Sequence, residues 1–299
     1  MVPGQWRNNA EDRVKVGFIG LGTMGTPMAK CLIHDGFDLL GWDTDEETLL
    51  GFDSAADSLE QIAQCCDTFI SMLPEGQHVR SVYGQLLSQI ETPHLFLDCS
   101  TIDVASTRDL AMQLTALGHG FVDAPVSGGR EAASSGSLSF MIGGDAEHVD
   151  AARPLLASMG KKLIEFGDAG TGQAAKACHN MICGITALGV SEAFALADAL
   201  ELDLGKFFHL CSGAAAQSWI LENRCPVPGP APNAPASSDY TPGFAAYLMA
   251  KDLELARQAA EASNQRTEFG AAAARRFREF VEAGNGDLDF SAIYHSIRK

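Results

Sequence analysis

The stretch Val14-Lys15-Val16-Gly17-Phe18-Ile19-Gly20-Leu21-Gly22-Thr23-Met24-Gly25 constrains this chain more than any other. A short apolar run reads as a strand. A G-x-G-x-x-G turn follows at once, and a helix-forming segment runs from Met24 to about His34. Strand, glycine turn and helix in that order are the context of a dinucleotide-binding βα unit. Gly20 permits the tight turn, Gly22 lets backbone approach a pyrophosphate, and Gly25 lets helix and strand pack closely. A second strand, Asp38-Leu39-Leu40-Gly41-Trp42, ends at Asp43. That acid stands near the ~20-residue offset at which a carboxylate meets a ribose hydroxyl. Asp43 would repel a 2′-phosphate, and its neighbours Thr44, Asp45, Glu46 and Glu47 include no cation to hold one. These residues favour NAD over NADP.

The alternation continues along the first half. Strands are expected at Thr68–Leu73, Leu95–Cys99 and Phe121–Asp123, with helices over about 78–90 and 104–117 between them. Two further runs, Ser139–Ile142 and Lys162–Phe166, flank a helix near 147–159. This is the pattern of a doubly wound, Rossmann-type α/β domain, whose ligands sit beyond the carboxyl ends of the strands. Leu73, Pro74, Ser100 and Thr101 fall at such ends. So does Ser127-Gly128-Gly129, which offers a hydroxyl and backbone N–H groups to a carboxylate.

After Gly172 the period changes. Ala, Leu and Met recur at helical spacing to about Leu200, and more helices are expected over 204–211, 218–223, 244–263 and 268–283. The expected organisation is a loose extension at 1–13, a Rossmann domain at 14–168 and an all-helical domain at 169–299 that binds substrate and forms oligomers. Met1–Asp12 lack the apolar core of a signal peptide and the Arg/Ser-rich pattern of a transit peptide. Between the helices, Pro226-Val227-Pro228-Gly229-Pro230-Ala231-Pro232-Asn233-Ala234-Pro235 reads as a stiff, extended loop.

At the junction lies Gly167-Asp168-Ala169-Gly170-Thr171-Gly172-Gln173-Ala174-Ala175-Lys176-Ala177-Cys178-His179-Asn180. A glycine turn precedes an Ala-rich helix that Thr171 can cap. Lys176 and Asn180 are four residues apart and share a helical face. A lysine near a helix start feels the positive end of the dipole, which favours a lowered pKa and a role in proton transfer. On the stretch Phe244–Ala256, Leu248, Met249 and Leu255 can face a core, while Lys251 and Asp252 read as an exposed pair.

The charge balance excludes some partners. A formal net charge of −17 argues against nucleic acid and against an anionic membrane surface. No apolar run is expected to reach the ~18 residues of a membrane span. The eight cysteines show no CxxC pair and no Cys/His spacing of a metal site, so no metal is expected, and reduced thiols in a cytoplasmic protein account for them best.

Four segments together resemble the β-hydroxyacid dehydrogenase family: Gly20–Gly25, Asp123-Ala124-Pro125-Val126-Ser127-Gly128-Gly129, Gly170–Asn180, and Ala250-Lys251-Asp252-Leu253. They cover the chain from about Val14 to Ile293. The Pro-rich stretch, continued to Gly243-Phe244, resembles the hydroxyisobutyrate branch of that family. The resemblance implies that Lys176 is the catalytic acid/base and that Asn180 holds the reacting hydroxyl. Ser127, Gly128 and Gly129 would bind the substrate carboxylate. Gly20, Leu21, Gly22, Met24, Gly25, Asp43, Leu73, Pro74, Thr101 and Lys251 would hold NAD. It further implies NAD-dependent oxidation of the small hydroxyacid 3-hydroxyisobutyrate to a semialdehyde in valine breakdown, by a homodimer or homotetramer built through the helical domain. Rival readings are a dehydrogenase of another small β-hydroxyacid, such as a tartronate semialdehyde reductase, and a non-catalytic NAD-binding protein. Imine reductases share the fold, and Lys176 argues against them. Two residues depart from the branch: His78, where Asn is usual, and Arg130, directly after the glycine pair.

Overall fold

The computed structural model describes residues 14–298; the expected extension at 1–13 lies outside them. By packing, the chain divides into two compact units, one ending at Lys176 and the other running over Ala177–Lys299. The glycine turn suggests a boundary between 168 and 169. The start of the long helix instead goes with the first unit, because its first turn is hydrogen-bonded to the strand ends there.

The first unit alternates strand and helix: β1 Lys15–Ile19, α1 Gly25–His34, β2 Asp38–Trp42, α2 Glu46–Leu50, α3 Leu59–Cys65, β3 Thr68–Ser71, α4 Gly76–Leu87, β4 Leu95–Asp98, α5 Val104–Ala116, β5 Gly120–Asp123, β6 Val126–Ser127, α6 Gly129–Ser134, β7 Leu138–Gly144, α7 Ala146–Met159 and β8 Gly160–Gly167. The sheet order is β2-β1-β3-β4-β5-β7-β6, with β8 paired to β7. Strands β1 to β5 run parallel, with β7 antiparallel to β5. Strand order reverses at β1, whose neighbours are β2 on one side and β3 on the other. Alternate residues face opposite layers, as the strand period requires. Phe69, Phe96 and Phe121 pack with Ile62, Tyr83 and Leu114 of α3, α4 and α5. Ile70, Leu97 and Val122 pack with Met28, Leu32 and Leu156 of α1 and α7. Both faces are therefore covered, as expected for a doubly wound domain. The short α2, α3 and α6 escape a periodicity reading because each spans too few turns to show an apolar stripe.

The long helix α8, Thr171–Ala199, leads into the second unit, followed by α9 Leu204–Ser212, α10 Trp219–Asn223, α11 Ala246–Ala262 and α12 Glu268–Phe280. A π turn at Val281–Asn285 and a 3-10 helix at Phe290–Ser296 close the chain. Ala187, Met249, Leu253, Ala273, Phe277 and Phe290 share one core. By length and composition α8 could cross a membrane, with a mean hydropathy of 1.4 over its most apolar stretch, 33% of which is buried. Its polar residues Asn180 and Ser191 are buried within the protein.

The Pro-rich stretch is not an extended loop. Val227, Ala231 and Ala234 are buried with Phe194 and Tyr294. Pro235–Ser238 forms a 3-10 turn, and the Tyr240 hydroxyl donates to the Pro226 carbonyl at 2.6 Å. Proline removes donors but leaves apolar rings and methyl groups, and here these find a core to pack on.

Candidate active site

The glycine turn after β1 follows from sterics. Gly20 has φ +95, and a Cβ there would run into the Met72 carbonyl; a Cβ at Gly25 would run into the Gly20 carbonyl. Gly22 is different: nothing lies within 4 Å of where its Cβ would be, so backbone is bare toward solvent. Two tight glycines and one open one are what a pyrophosphate cradle needs. Leu21 is buried and Met24 packs partly against the core, so both shape the turn from beneath. Asp43 follows β2, and its Oδ2 accepts the Leu21 amide at 2.7 Å while Oδ1 accepts the Asp45 amide at 3.0 Å. Oδ1 also accepts Thr44 Oγ1 at 3.5 Å, so Oδ2 is the oxygen that keeps a lone pair for a ribose hydroxyl. Asp43 does not cap the next helix; Asp45 does, accepting the Thr48 amide at 3.1 Å.

Across the strand-order reversal, the Leu73 amide donates to Ser100 Oγ at 2.9 Å, tying the end of β3 to the end of β4. Pro74 and His78 are exposed, and Thr101 is half-buried just after Ser100. Loops from β1, β2, β3 and β4 thus share the crevice where open α/β sheets bind ligands. The residues present fit a dinucleotide.

Beneath these loops lies a buried polar chain. Tyr83 donates to Ser71 Oγ at 2.7 Å, and Ser71 donates to Asp98 Oδ1 at 2.8 Å, which also accepts the Ser100 amide at 3.0 Å. Asp98 pairs in register with Asp123 at the end of β5, and neither carboxylate is exposed. Burial pushes Asp123 up to about 7; its bonds from Gly170 and Gln173 oppose the shift, and the charge of Asp98 adds to it.

Lys176 is buried, and its Nζ donates to the Val126 carbonyl at 2.7 Å. Val126 immediately precedes Ser127, so the lysine head lies against the strand that ends in the Ser127-Gly128-Gly129 turn. In that turn Gly128 has φ +137 and Gly129 has φ +67, both in the left-handed region. Arg130 is exposed on α6. The expected cap of α8 is corrected by the structure. Thr171 Oγ donates to the Asp168 carbonyl at 2.7 Å and accepts no helix amide. The helix amides are met by Asp123 instead: Gly170 N and Gln173 N donate to its two oxygens at 2.7 and 2.8 Å.

In the second unit Asn180 is 4% exposed, and its Nδ2 donates to Asp252 Oδ2 at 2.5 Å. His179 Nδ1 lies 2.8 Å from Asn180 Oδ1. A carboxylate can only accept, so Asp252 fixes which end of the amide faces it. Lys251 Nζ stands 3.4 Å from Asp252 Oδ1, and Asp252 is 3% exposed rather than solvated. Leu253 is buried with Met249, while Leu248 and Leu255 are only half-buried. Sequence reasoning missed Asp252 and Gln173. The signal for Asp252 was its place on the apolar face, one turn after Leu248 and one before Leu255.

The first unit matches the family model described as the NAD binding domain of 6-phosphogluconate dehydrogenase, over residues 15–167. Residues 170–297 match the model described as NAD-binding of NADP-dependent 3-hydroxyisobutyrate dehydrogenase. The chain is 39% identical over 291 residues to a probable 3-hydroxyisobutyrate dehydrogenase of Mycobacterium tuberculosis, covering 95% of this chain and 97% of the relative. The chain belongs to the β-hydroxyacid dehydrogenase family. It is 41% identical over 286 residues to an NAD-dependent L-serine dehydrogenase of Pseudomonas aeruginosa, covering 93% of this chain and 96% of that one. A solved structure of the Mycobacterium tuberculosis 3-hydroxyisobutyrate dehydrogenase with L-serine superposes with a TM-score of 0.91 at 38% identity, covering 96% of this chain and 100% of that chain. This β-hydroxyacid dehydrogenase is therefore an enzyme that binds NAD or NADP, and the small hydroxyacid expected as its substrate fits its relatives.

Proposed function

We propose that the enzyme oxidises 3-hydroxyisobutyrate to methylmalonate semialdehyde with NAD, and that Lys176 is the general acid/base. The observation that carries this reading is the buried Lys176 Nζ on the Val126 carbonyl, beside the Ser127-Gly128-Gly129 turn. On this reading that turn offers a hydroxyl and backbone donors to the substrate carboxylate, and the lysine meets the hydroxyl carried by the same small molecule. Bound NAD would supply the acceptor for the hydride of the hydroxyl carbon. Lys176 takes the hydroxyl proton, or returns it in the reverse reduction. Asn180, held by Asp252, keeps a second Nδ2 hydrogen to orient the hydroxyl. Asp43, with no cation at Thr44 to Glu47, supports NAD over NADP. Exposed Ile182, Leu196, Leu200, Leu202 and Leu210 support a homodimer or homotetramer through the helical unit, which sedimentation would check. The eight free thiols suit a reducing, cytoplasmic setting.

A second reading, L-serine as substrate, is favoured by the relative and the solved structure that carry that name. Serine places an ammonium where hydroxyisobutyrate has a methyl. Arg130 directly follows the carboxylate turn and is exposed; turned toward it, its guanidinium would repel that ammonium and welcome a hydroxyl or second carboxylate, as in glycerate or tartronate. The test is kcat/KM for 3-hydroxyisobutyrate, L-serine and glycerate, in wild type and Arg130→Ala. A fitted methyl is worth roughly 10–200-fold, so 3-hydroxyisobutyrate should lead by about that factor. Arg130→Ala should raise serine relative to glycerate. A wild-type ratio below one for 3-hydroxyisobutyrate against either competitor overturns the assignment and leaves the family.

A further inference from the structure

The start of α8 is built in a way that neither a glycine turn nor an Ala-rich helix requires. Of its first amides, Thr171 N is met within the segment by the Asp168 carbonyl at 3.1 Å, but Gly170 N and Gln173 N are not. The carboxylate that accepts them comes from β5. Asp123 Oδ1 takes Gly170 N at 2.7 Å, and Oδ2 takes Gln173 N at 2.8 Å. A buried carboxylate at a helix N-terminus is favoured by the dipole and satisfies two amides that otherwise have no partner. Gly172 makes the approach possible, since a Cβ there would stand 2.8 Å from Asp123 Oδ2 and run into the Met141 carbonyl.

A second grip lies on the same turn. Gln173 is 1% exposed; its Nε2 donates to the Ser100 carbonyl at 2.7 Å and its Oε1 accepts the Ile102 amide at 3.2 Å. Gln173 therefore spans both sides of Thr101. Lys176 follows Gln173 by three residues, so the two lie along one helix face. Its Nζ then returns to the segment that began at Asp123, reaching the Val126 carbonyl. One short stretch of chain, 123–126, thus determines both where the helix starts and where the lysine ends.

We infer that Asp123, with Gln173, is a positioning residue that sets the lysine of α8 against the Ser127-Gly128-Gly129 turn. This rests on the reading of Lys176 as the acid/base. Asp123 touches neither substrate nor cofactor in this role; it acts through the helix. Asparagine in its place keeps the shape but offers one acceptor, and its amide hydrogens would face a backbone N–H.

The experiment uses the full-length enzyme as Asp123→Asn, Gln173→Leu and Lys176→Ala. For each variant, kcat, NADH affinity by fluorescence titration, and amide hydrogen exchange are measured. A displacement of about 1 Å can cost on the order of 100-fold in rate. Asp123→Asn should therefore lose about 10–100-fold in kcat, with NADH affinity held within about threefold. Exchange at residues 170–176 should speed up while the helix beyond 180 keeps its protection. Gln173→Leu should move the same readouts in the same direction by less, and decides the matter if Asp123→Asn does not fold. Unchanged exchange at 170–176 in a folded variant overturns the inference. So does faster exchange with wild-type kcat when Lys176→Ala is inactive. If Lys176→Ala instead keeps its kcat, it is the acid/base reading that falls, and the exchange data still decide whether Asp123 holds the helix.

Discussion

Lys176 and Asn180 stand one turn apart on α8 but are held by different means. In the first unit Lys176 donates to a backbone carbonyl, and the carboxylate of Asp123 holds two amides of the helix start before it. In the helical unit Asn180 is met by side chains: Asp252, itself 3% exposed and facing Lys251, at its Nδ2, and His179 at its Oδ1. Backbone groups are present whatever the residue, so the lysine's docking point survives substitution at Val126. The asparagine's does not survive loss of Asp252. A buried carboxylate is also costly unless paired, so Asp252 and Asn180 each need the other.

The comparison can be broken first at the lysine. Lys176→Ala should lower kcat by roughly 10²–10⁴-fold, the usual worth of general acid–base catalysis, while NADH still binds. Single-turnover kinetics check this, and a variant keeping more than about a third of kcat removes the premise that the two sites serve one reaction. Next is Asp252. Its replacement by Ala should cost about 10–100-fold in kcat, because a loosened Asn180 amide can turn over or swing. Asp252→Asn, whose oxygen can still accept from Asn180, should recover much of that loss. Equal losses in the two variants would mean that the charge facing Lys251, not the grip on Asn180, is what matters. The smallest effect concerns the glycine turn after β1, where backbone sets shape and the proposed role of Asp43 is to set the choice of cofactor. Asp43→Asn with Thr44→Arg should move preference toward NADP by roughly tenfold, the order of one charge-assisted hydrogen bond. Wild-type enzyme preferring NADP in steady-state assays would sink the role given to Asp43.

The first unit was the more legible of the two. Gly20, Gly22, Gly25 and Asp43 carry their reasons in their spacing, because a tight turn and a close approach are local requirements. The strands were legible as apolar runs, since both faces of the sheet are covered. The helical unit was legible as helices but not as contacts. Pro226–Tyr240 reads as a linker by composition, and its packing on Phe194 and Tyr294 depends on partners far along the chain. Asp252 reads as solvated because a charge on a helix usually is, and only the long-range contact with Asn180 shows otherwise.

By itself the sequence determined the doubly wound first half, the helical second half, the dinucleotide turn, and the family to which the segments around Lys176 and Lys251 belong. These follow from periodicity and from motifs closed within a few residues. Tertiary structure alone decided that Asp123 caps α8 in place of Thr171, that Gln173 spans Thr101, and that Asp252 orients Asn180. Each joins residues 47 to 73 positions apart. A hydrogen bond of that reach leaves no local period, because its partners are chosen by the packing of strands and helices and not by the spacing of neighbours.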